Sequence, residues 1–466
     1  MTKALFNRAP LRRLMSKGVA VLAAGAIASL QAVVPVLARG NVPVVRDAEI
    51  ESLVRDYARP ILKAAGLSKK GVEIVLVNDR SFNAFVAGRR LFINTGALMT
   101  AETPNEIIGV IAHEAGHIAG GHQERLRQQL ERAQTLAVVG SLLGIGAMAA
   151  GAATNSRGLA GAGSGIALGS GEAAKRGLLA YQRGEEITAD RSALQYLNAT
   201  GQSAKGMIKT FERFASALAL TGSRMDPYLV SHPMPRDRIA LLEDLAKKSK
   251  FWNREDPADL QERHDLARVK IAAYTEGPGA VARIGRSLHT AIAGDYGAAL
   301  NTYLNGNPRE AVKRAEALVK KRPHYAFFQE LLGDSFMKAN RPAEAANAYG
   351  RAARLAGGSS LLMIAQGQAL IATGRKDAMR QAIDQIRKGL TADPDNAGAY
   401  RFLAQAYGVL GDIGEAELAS AEGNYHAGNL QDARVFAARA QQKLKRGSPA
   451  WQRAQDIIDT HPNKKK

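Results

Sequence analysis

Residues 103–121 read TPNEIIGVIAHEAGHIAGG. Thr103, Pro104 and Glu106 predict a helix start: a capping hydroxyl, a first-turn proline and a reciprocal carboxylate three residues on. Within that helix His113, Glu114, Ala115, Gly116 and His117 form HExxH. Spacing of i and i+4 puts the two imidazoles on one face, one turn apart, where both reach a single tetrahedral Zn²⁺. Glu114, between them, reaches a metal-bound water but not the metal face itself. Gly109, Gly116 and Gly120 fall on or beside the histidine face. Each costs the helix about 1 kcal/mol relative to alanine, so we assign them to clearance for metal and substrate.

A catalytic zinc needs a third protein ligand and one open position. His122 is one candidate, but a three-histidine pattern needs its last histidine at the eleventh place, where Gln123 stands. His122 therefore reads as a supporting or surface residue on another face. The other candidate is a carboxylate from a later helix. Glu186, Ile187, Thr188, Ala189 and Asp190 give ExxxD, with the two acids one turn apart. In that reading Glu186 binds the metal and Asp190 orients a ligand imidazole from behind, while Glu185 lies on a solvated face.

Working outward, helical spacing of Ile50, Leu53, Val54, Tyr57, Ile61 and Leu62 predicts a helix over 45–65, and β-branched runs predict strands at 72–77 and 90–94. The second strand, Leu91 to Ile93, is expected to offer an edge to which an extended substrate adds by β-augmentation. Further helices are expected over 184–197 and 204–220. Residues 136–171 are almost wholly Ala, Gly, Leu, Ile and Val. They read as a buried or lid-forming helical hairpin, with membrane insertion as the competing reading.

The chain has 466 residues, 46% hydrophobic and 23% charged, enough for two or three domains and too apolar for disorder. Cysteine is absent, which excludes a disulfide framework, a thiolate nucleophile and any Cys-ligated metal. Residues 1–38 carry five basic residues and no acidic one, then an apolar run ending Val36, Leu37, Ala38. This is the layout of a signal peptide cleaved near Ala38, and it predicts a protein whose body lies outside the cytoplasm.

Past Glu276, Gly277, Pro278 and Gly279, taken as the linker at 277–280, a 34-residue period appears. Leu332, Gly333, Phe336, Ala345, Tyr349 and Ala352 occupy tetratricopeptide positions, as do Tyr400, Leu403, Tyr407 and Ala416. Four to five helix pairs are expected over 281–460, stacked as an α-solenoid with a concave binding surface, before a basic tail at 461–466. From Val281 onward 27 basic residues face 17 acidic ones. That charge suits an acidic partner or a membrane surface. Nucleic acid is excluded as a partner, because the leader sends the chain away from it and no reading motif accompanies the charge.

HEAGH at 113–117, EITAD at 186–190, NAFVAGRRLFINTGAL before them and SHPMPRDRI at 231–239 resemble the zinc metallopeptidase family of HtpX and the CAAX prenyl endopeptidases. The resemblance implies a mainly α fold with a small β-sheet: a gluzincin-like domain over 39–276, followed by tetratricopeptide repeats. It implies one Zn²⁺ per chain held by His113, His117 and Glu186, with Glu114 as catalytic base and Asp190 as the matching acid of ExxxD. Within the family, the leader and repeat tail resemble periplasmic members that assist assembly of outer-membrane β-barrel proteins and degrade those that stall. The implied partners are those unfolded or stalled barrels and the assembly machinery, met through the repeats. The family also places the 231–239 segment near the metal, where His232 either stabilises an oxyanion or fills the open metal position and holds the enzyme latent. A chaperone or scaffold with a rarely active peptidase is the competing function.

Overall fold

Short β-branched runs and one tight turn build the sheet that backs the motif helix. The computed structural model describes residues 43–69, 71–221, 232 and 236–460, so the leader at 1–38 and the tail at 461–466 lie outside the described residues. Strands β1 (Val44–Val45), β2 (Glu73–Val77), β3 (Ala84–Ala87) and β4 (Arg90–Asn94) form one sheet in the order β1-β2-β4-β3. β2 and β4 run parallel, with Val75 opposite Phe92, and β3 lies antiparallel to β4, with Phe85 opposite Phe92. Gly88, at φ 63°, turns the chain between them, and the two phenylalanine rings stack at 4.8 Å. The Leu91–Ile93 strand is therefore interior, not an edge. The outer strand on that side is β3, which the sequence reading did not anticipate.

Helix α1 (Ala48–Ala64) connects β1 to β2, and α2 (Thr95–Thr100) leads to the motif helix α3 (Pro104–Gly120). α3 starts where its sequence predicts, but the capping box does not close. Thr103 makes no side-chain cap bond. Glu106 accepts from the Glu102 N–H and is held by Arg213 at 2.7 Å, so its carboxylate is turned away from Thr103. Asp256 takes over the cap, accepting from the Asn105 N–H at 2.9 Å.

The glycines of α3 serve packing rather than metal clearance. A Cβ at Gly109 would lie 2.5 Å from Met207 Cβ on α6 (Lys205–Thr221), and one at Gly116 would lie 3.0 Å from the Ala189 carbonyl on α5 (Arg157–Ala199). At Gly120 it would strike the His122 ring. Neighbouring helices thus approach α3 backbone to backbone, which no side chain larger than hydrogen allows.

Between the two motif segments, α4 (His122–Ala153) and α5 form a long antiparallel hairpin. Of the two forms expected for residues 136–171, a buried or a lid-forming hairpin, the buried one does not fit the exposure of its large side chains. The buried positions of this part of α4 are Ala133, Ala137, Ser141, Gly144 and Gly151, whereas Leu136, Leu142 and Leu143 are more than half exposed.

The chain divides into two compact units, at Val45/Arg46, at Leu53/Val54 and again at Gln261/Glu262. The last division falls inside α8 (Ala258–Thr275), which follows α7 (Arg236–Lys247). The expected linker at 277–280 instead opens a short helix, α9 (Pro278–Gly285), because Gly277 at φ 80° and Pro278 supply a helix start. In the second unit, helices beginning at Ala291, Ala326, Ser360, Ala397 and Leu430 each pair with the next helix, giving five hairpins among the described residues. Gly333 lets the Tyr349 ring approach within a hairpin; a Cβ there would lie 2.8 Å from it. The Arg46–Leu53 segment belongs to this unit. Its Glu49 accepts hydrogen bonds from Tyr296 at 2.9 Å and Tyr325 at 2.5 Å, and buried Lys270 lies 2.8 Å from Asp47 and 3.0 Å from Glu330.

Candidate active site

α3 and α5 are the two elements that carry the site, and Gly116 against Ala189 fixes how closely they lie. His113 and His117 point from α3 with their Nε2 atoms 3.1 Å apart. Across from them, one turn of α5 presents Glu186 and Asp190 on a common face. Glu186 Oε2 lies 3.3 Å from His113 Nε2, and Oε1 lies 3.3 Å from His117 Nε2. His113, His117, Glu186 and His232 are all buried, and one ligand atom from each lies within 4.8 Å of the others. The two segments that the sequence paired therefore do converge, though 68 residues, most of them hairpin, lie between His117 and Glu186.

His232 sits inside this cluster. Its Nδ1 is 3.1 Å from Glu186 Oε2, and its Nε2 is 3.4 Å from Glu114 Oε1. Pro233 and the residues on to 235 lie outside the described set. Glu114 is wholly buried, and neither of its oxygens has a hydrogen-bond partner in the protein. A buried carboxylate without a hydrogen bond is costly; His232 Nε2 approaches it at 3.4 Å, and its place beside the histidine pair suits a group that meets water or substrate.

Each histidine of the motif is held from behind. Asp190 Oδ1 lies 3.0 Å from His113 Nδ1. Asp190 is gripped in turn by Arg238, whose Nε and Nη2 donate to its two oxygens at 2.5 and 2.8 Å. Behind His117, His122 Nδ1 approaches His117 Nδ1 at 2.9 Å, and Glu185 Oε2 stands 3.1 Å from His122 Nε2. Arg125 holds Glu185 at 2.7 Å. Glu185 is thus a partly buried support rather than a solvated residue, and His122 is a buried one. Sequence reasoning left Arg238 and Glu185 without a role. Arg238 lies within the SHPMPRDRI segment, and Glu185 adjoins ExxxD, so proximity to a motif was the only available signal.

The protonation states suit a cation. Burial works against a charged carboxylate at Glu186, but His232, His113 and His117 outweigh it and hold the carboxyl well below its usual range. Burial pushes the His117 imidazole down to about 3, leaving it neutral. Burial opposes charge at His113 too, yet hydrogen bonds to Asp190 and Glu186 raise it to about 9. A neutral imidazole and an ionised carboxylate are the ligand forms of these residues, and a bound cation would displace the remaining proton on His113. Burial raises the Glu114 carboxyl.

A groove of about 220 Å³ opens beside His117, lined by Val86, Gly88, Gly121, Gln123 and Arg127 among others. Gln123 crosses it to the outer strand: its amide donates to the Val86 carbonyl and accepts from the Gly88 N–H at 2.9 Å.

Residues 45–246, which include every side chain just described, match the model of peptidase family M48. Metalloprotease YcaL of Escherichia coli (strain K12) is 32% identical over 201 residues, covering 42% of this chain and 72% of that protein. The β-barrel assembly-enhancing proteases of Escherichia coli (strain K12) and Yersinia pestis are each 23% identical over 90% of this chain and 85% of their own length. The family's metal requirement agrees with the cluster of two imidazoles, one carboxylate and an unpartnered Glu114, and on these grounds the chain belongs to peptidase family M48, the metallopeptidases.

Proposed function

We propose that this chain is a zinc-dependent endopeptidase of the periplasm that acts on misassembled outer-membrane proteins. His113, His117 and Glu186 would hold the ion, which when bound supplies a Lewis acid for the scissile carbonyl and a water whose pKa falls to about 7. With the ion bound, the Glu114 carboxylate would serve as general base toward an attacking water and then as general acid toward the leaving amine. Burial raises the Glu114 carboxyl, which makes it a stronger base than a solvated carboxylate. Asp190 and Arg238 orient His113, and His122 orients His117. An extended segment adds to the outer edge of β3, where the Gln123 amide now occupies the backbone groups of Val86 and Gly88. That edge selects unfolded or unpaired chain.

The observation that carries this reading is the orphaned Glu114 carboxylate beside two converging imidazoles and the Glu186 carboxylate. Casein cleavage tests it. Wild type should cleave, while a chelator or Glu114→Gln should abolish cleavage. Chelator-resistant cleavage would reject the reading.

The periplasmic assignment rests on the basic and apolar leader at 1–38, and the action on barrel proteins rests on the names of the full-length relatives. The five hairpins at a spacing near 34 residues support tetratricopeptide repeats that bind clients or the assembly machinery. A second reading, a scaffold with a latent peptidase, is favoured by one observation: the His232 ring fills the space between Glu114 and Glu186. If it is a plug, His232→Ala raises basal cleavage, whereas lost activity would make it a transition-state group.

A further inference from the structure

A two-helix hairpin in water buries its large apolar side chains in the seam and turns small or polar ones outward. The hairpin of α4 and α5 is built the other way round. Its seam is Ala137, Ser141, Gly144 and Gly151 against Ala160, Gly163 and Ala167, with the Gly144 and Gly163 backbones in mutual contact. Its large side chains face out: Leu136 is 66% exposed, Leu142 54%, Leu143 64% and Ile166 48%. Small residues inside and leucines outside is the arrangement of helices whose solvent is lipid, where close backbone approach, not burial of leucine, drives association.

Three further observations name the same surroundings. From Leu136 to Ala153 the helix carries no charge, and its 18 residues rise about 27 Å at 1.5 Å each, close to the roughly 30 Å of a bilayer's hydrocarbon. Two hydroxyls on the hairpin are satisfied within their own helices, Thr154 on the Ala150 carbonyl at 2.9 Å and Ser164 on the Gly161 carbonyl at 2.8 Å, while Ser141 is turned into the seam without a hydrogen-bond partner in the protein. Charge returns only at the two ends. Thr154, Asn155, Ser156 and Arg157 form a polar tip, while Arg125, Arg127, Arg132, Lys175 and Arg176 outnumber Glu124, Glu131 and Glu172 at the base.

We propose that the α4–α5 hairpin inserts into a lipid bilayer, its outward leucines in hydrocarbon, its base among anionic headgroups and its polar tip at the opposite interface. The protease is then tethered between its two motif segments, with α3 and the start of the catalytic cleft held next to the membrane surface.

The chain lacks cysteine, so one introduced thiol can be labelled uniquely. Full-length protein freed of its leader, carrying Leu143→Cys or Glu124→Cys with an environment-sensitive fluorophore, is mixed with phosphatidylglycerol–phosphatidylethanolamine vesicles. The label at 143 should shift its emission to shorter wavelength, lose quenching by aqueous iodide and gain quenching by nitroxide on the lipid chains; the label at 124 should stay open to iodide. The double variant Leu142→Glu, Leu143→Glu should no longer float with vesicles, while its far-ultraviolet spectrum and unfolding midpoint match wild type. A label at 143 that iodide still reaches with vesicles present would overturn the proposal. So would one shielded without lipid as protein concentration rises, since the occupant is then a second copy, or flotation that survives the double variant.

Discussion

Asp190 joins two jobs in one side chain: one oxygen stands 3.0 Å from His113 Nδ1, and both oxygens are clamped by Arg238. Burial alone would raise this carboxyl, but Arg238 and His113 hold it below its ordinary value, so it stays an acceptor. The imidazole is thereby fixed with its Nε2 toward Glu186. Asp190→Asn should lower metal affinity about 10- to 100-fold with little loss of helix content, measured by competition with a fluorescent chelator. Unchanged affinity would show that His113 is oriented by packing alone.

The tight contact of Gly109 with Met207 makes a prediction opposite in sign to helix propensity. Alanine at an exposed helical glycine gains up to about 1 kcal/mol, but here its methyl would meet Met207 Cβ at 2.5 Å. Overpacking of that kind costs about 1–3 kcal/mol. Gly109→Ala should therefore lower the thermal midpoint, and a raised midpoint would return this glycine to the role of clearance.

The helix start, the two motif segments that converge and the helical-hairpin array were all legible in the sequence, because each is encoded locally by spacing or period. What was not legible depends on partners remote in sequence. The Asp256 cap of Asn105, the grip of Arg238 on Asp190 and the support of His122 by Glu185 each join residues at least 48 apart in sequence. The role of the glycines was misread for the same reason: propensity gives their cost, and only the neighbouring helix shows what they admit. The interior position of Leu91–Ile93 followed from β3, whose run Ala84–Ala87 is too short to signal a strand by alternation.

Gln123 should act on substrate capture rather than on chemistry. Its amide occupies the Val86 carbonyl and the Gly88 N–H that an added strand would use. In steady-state cleavage of an extended peptide, Gln123→Ala should lower KM severalfold and leave kcat near wild type. A fall in kcat with constant KM would place Gln123 in the reaction itself.

The second unit should weaken as pH rises. Glu330 is pushed up to about 8 because burial, aided by Asp47 and Asp334, outweighs the attraction of Lys270. Between about 4.5, where the unfolded carboxyl titrates, and 8, the folded state holds a proton that the unfolded state has lost. Stability from this group is thus full below that window and falls as pH climbs through it. Glu330→Gln should flatten the decline in urea midpoint between pH 5 and pH 8.5. An equally steep decline in the variant would assign it to other groups.

Metal content against cleavage is the most direct measure of the central claim, that His113, His117 and Glu186 hold one ion on which Glu114 acts. Wild type and Glu114→Gln should each retain one zinc per chain by elemental analysis, with casein cleaved only by wild type. Glu186→Ala should lose both metal and cleavage. Full zinc occupancy in Glu186→Ala, or undiminished cleavage by Glu114→Gln, would contradict it.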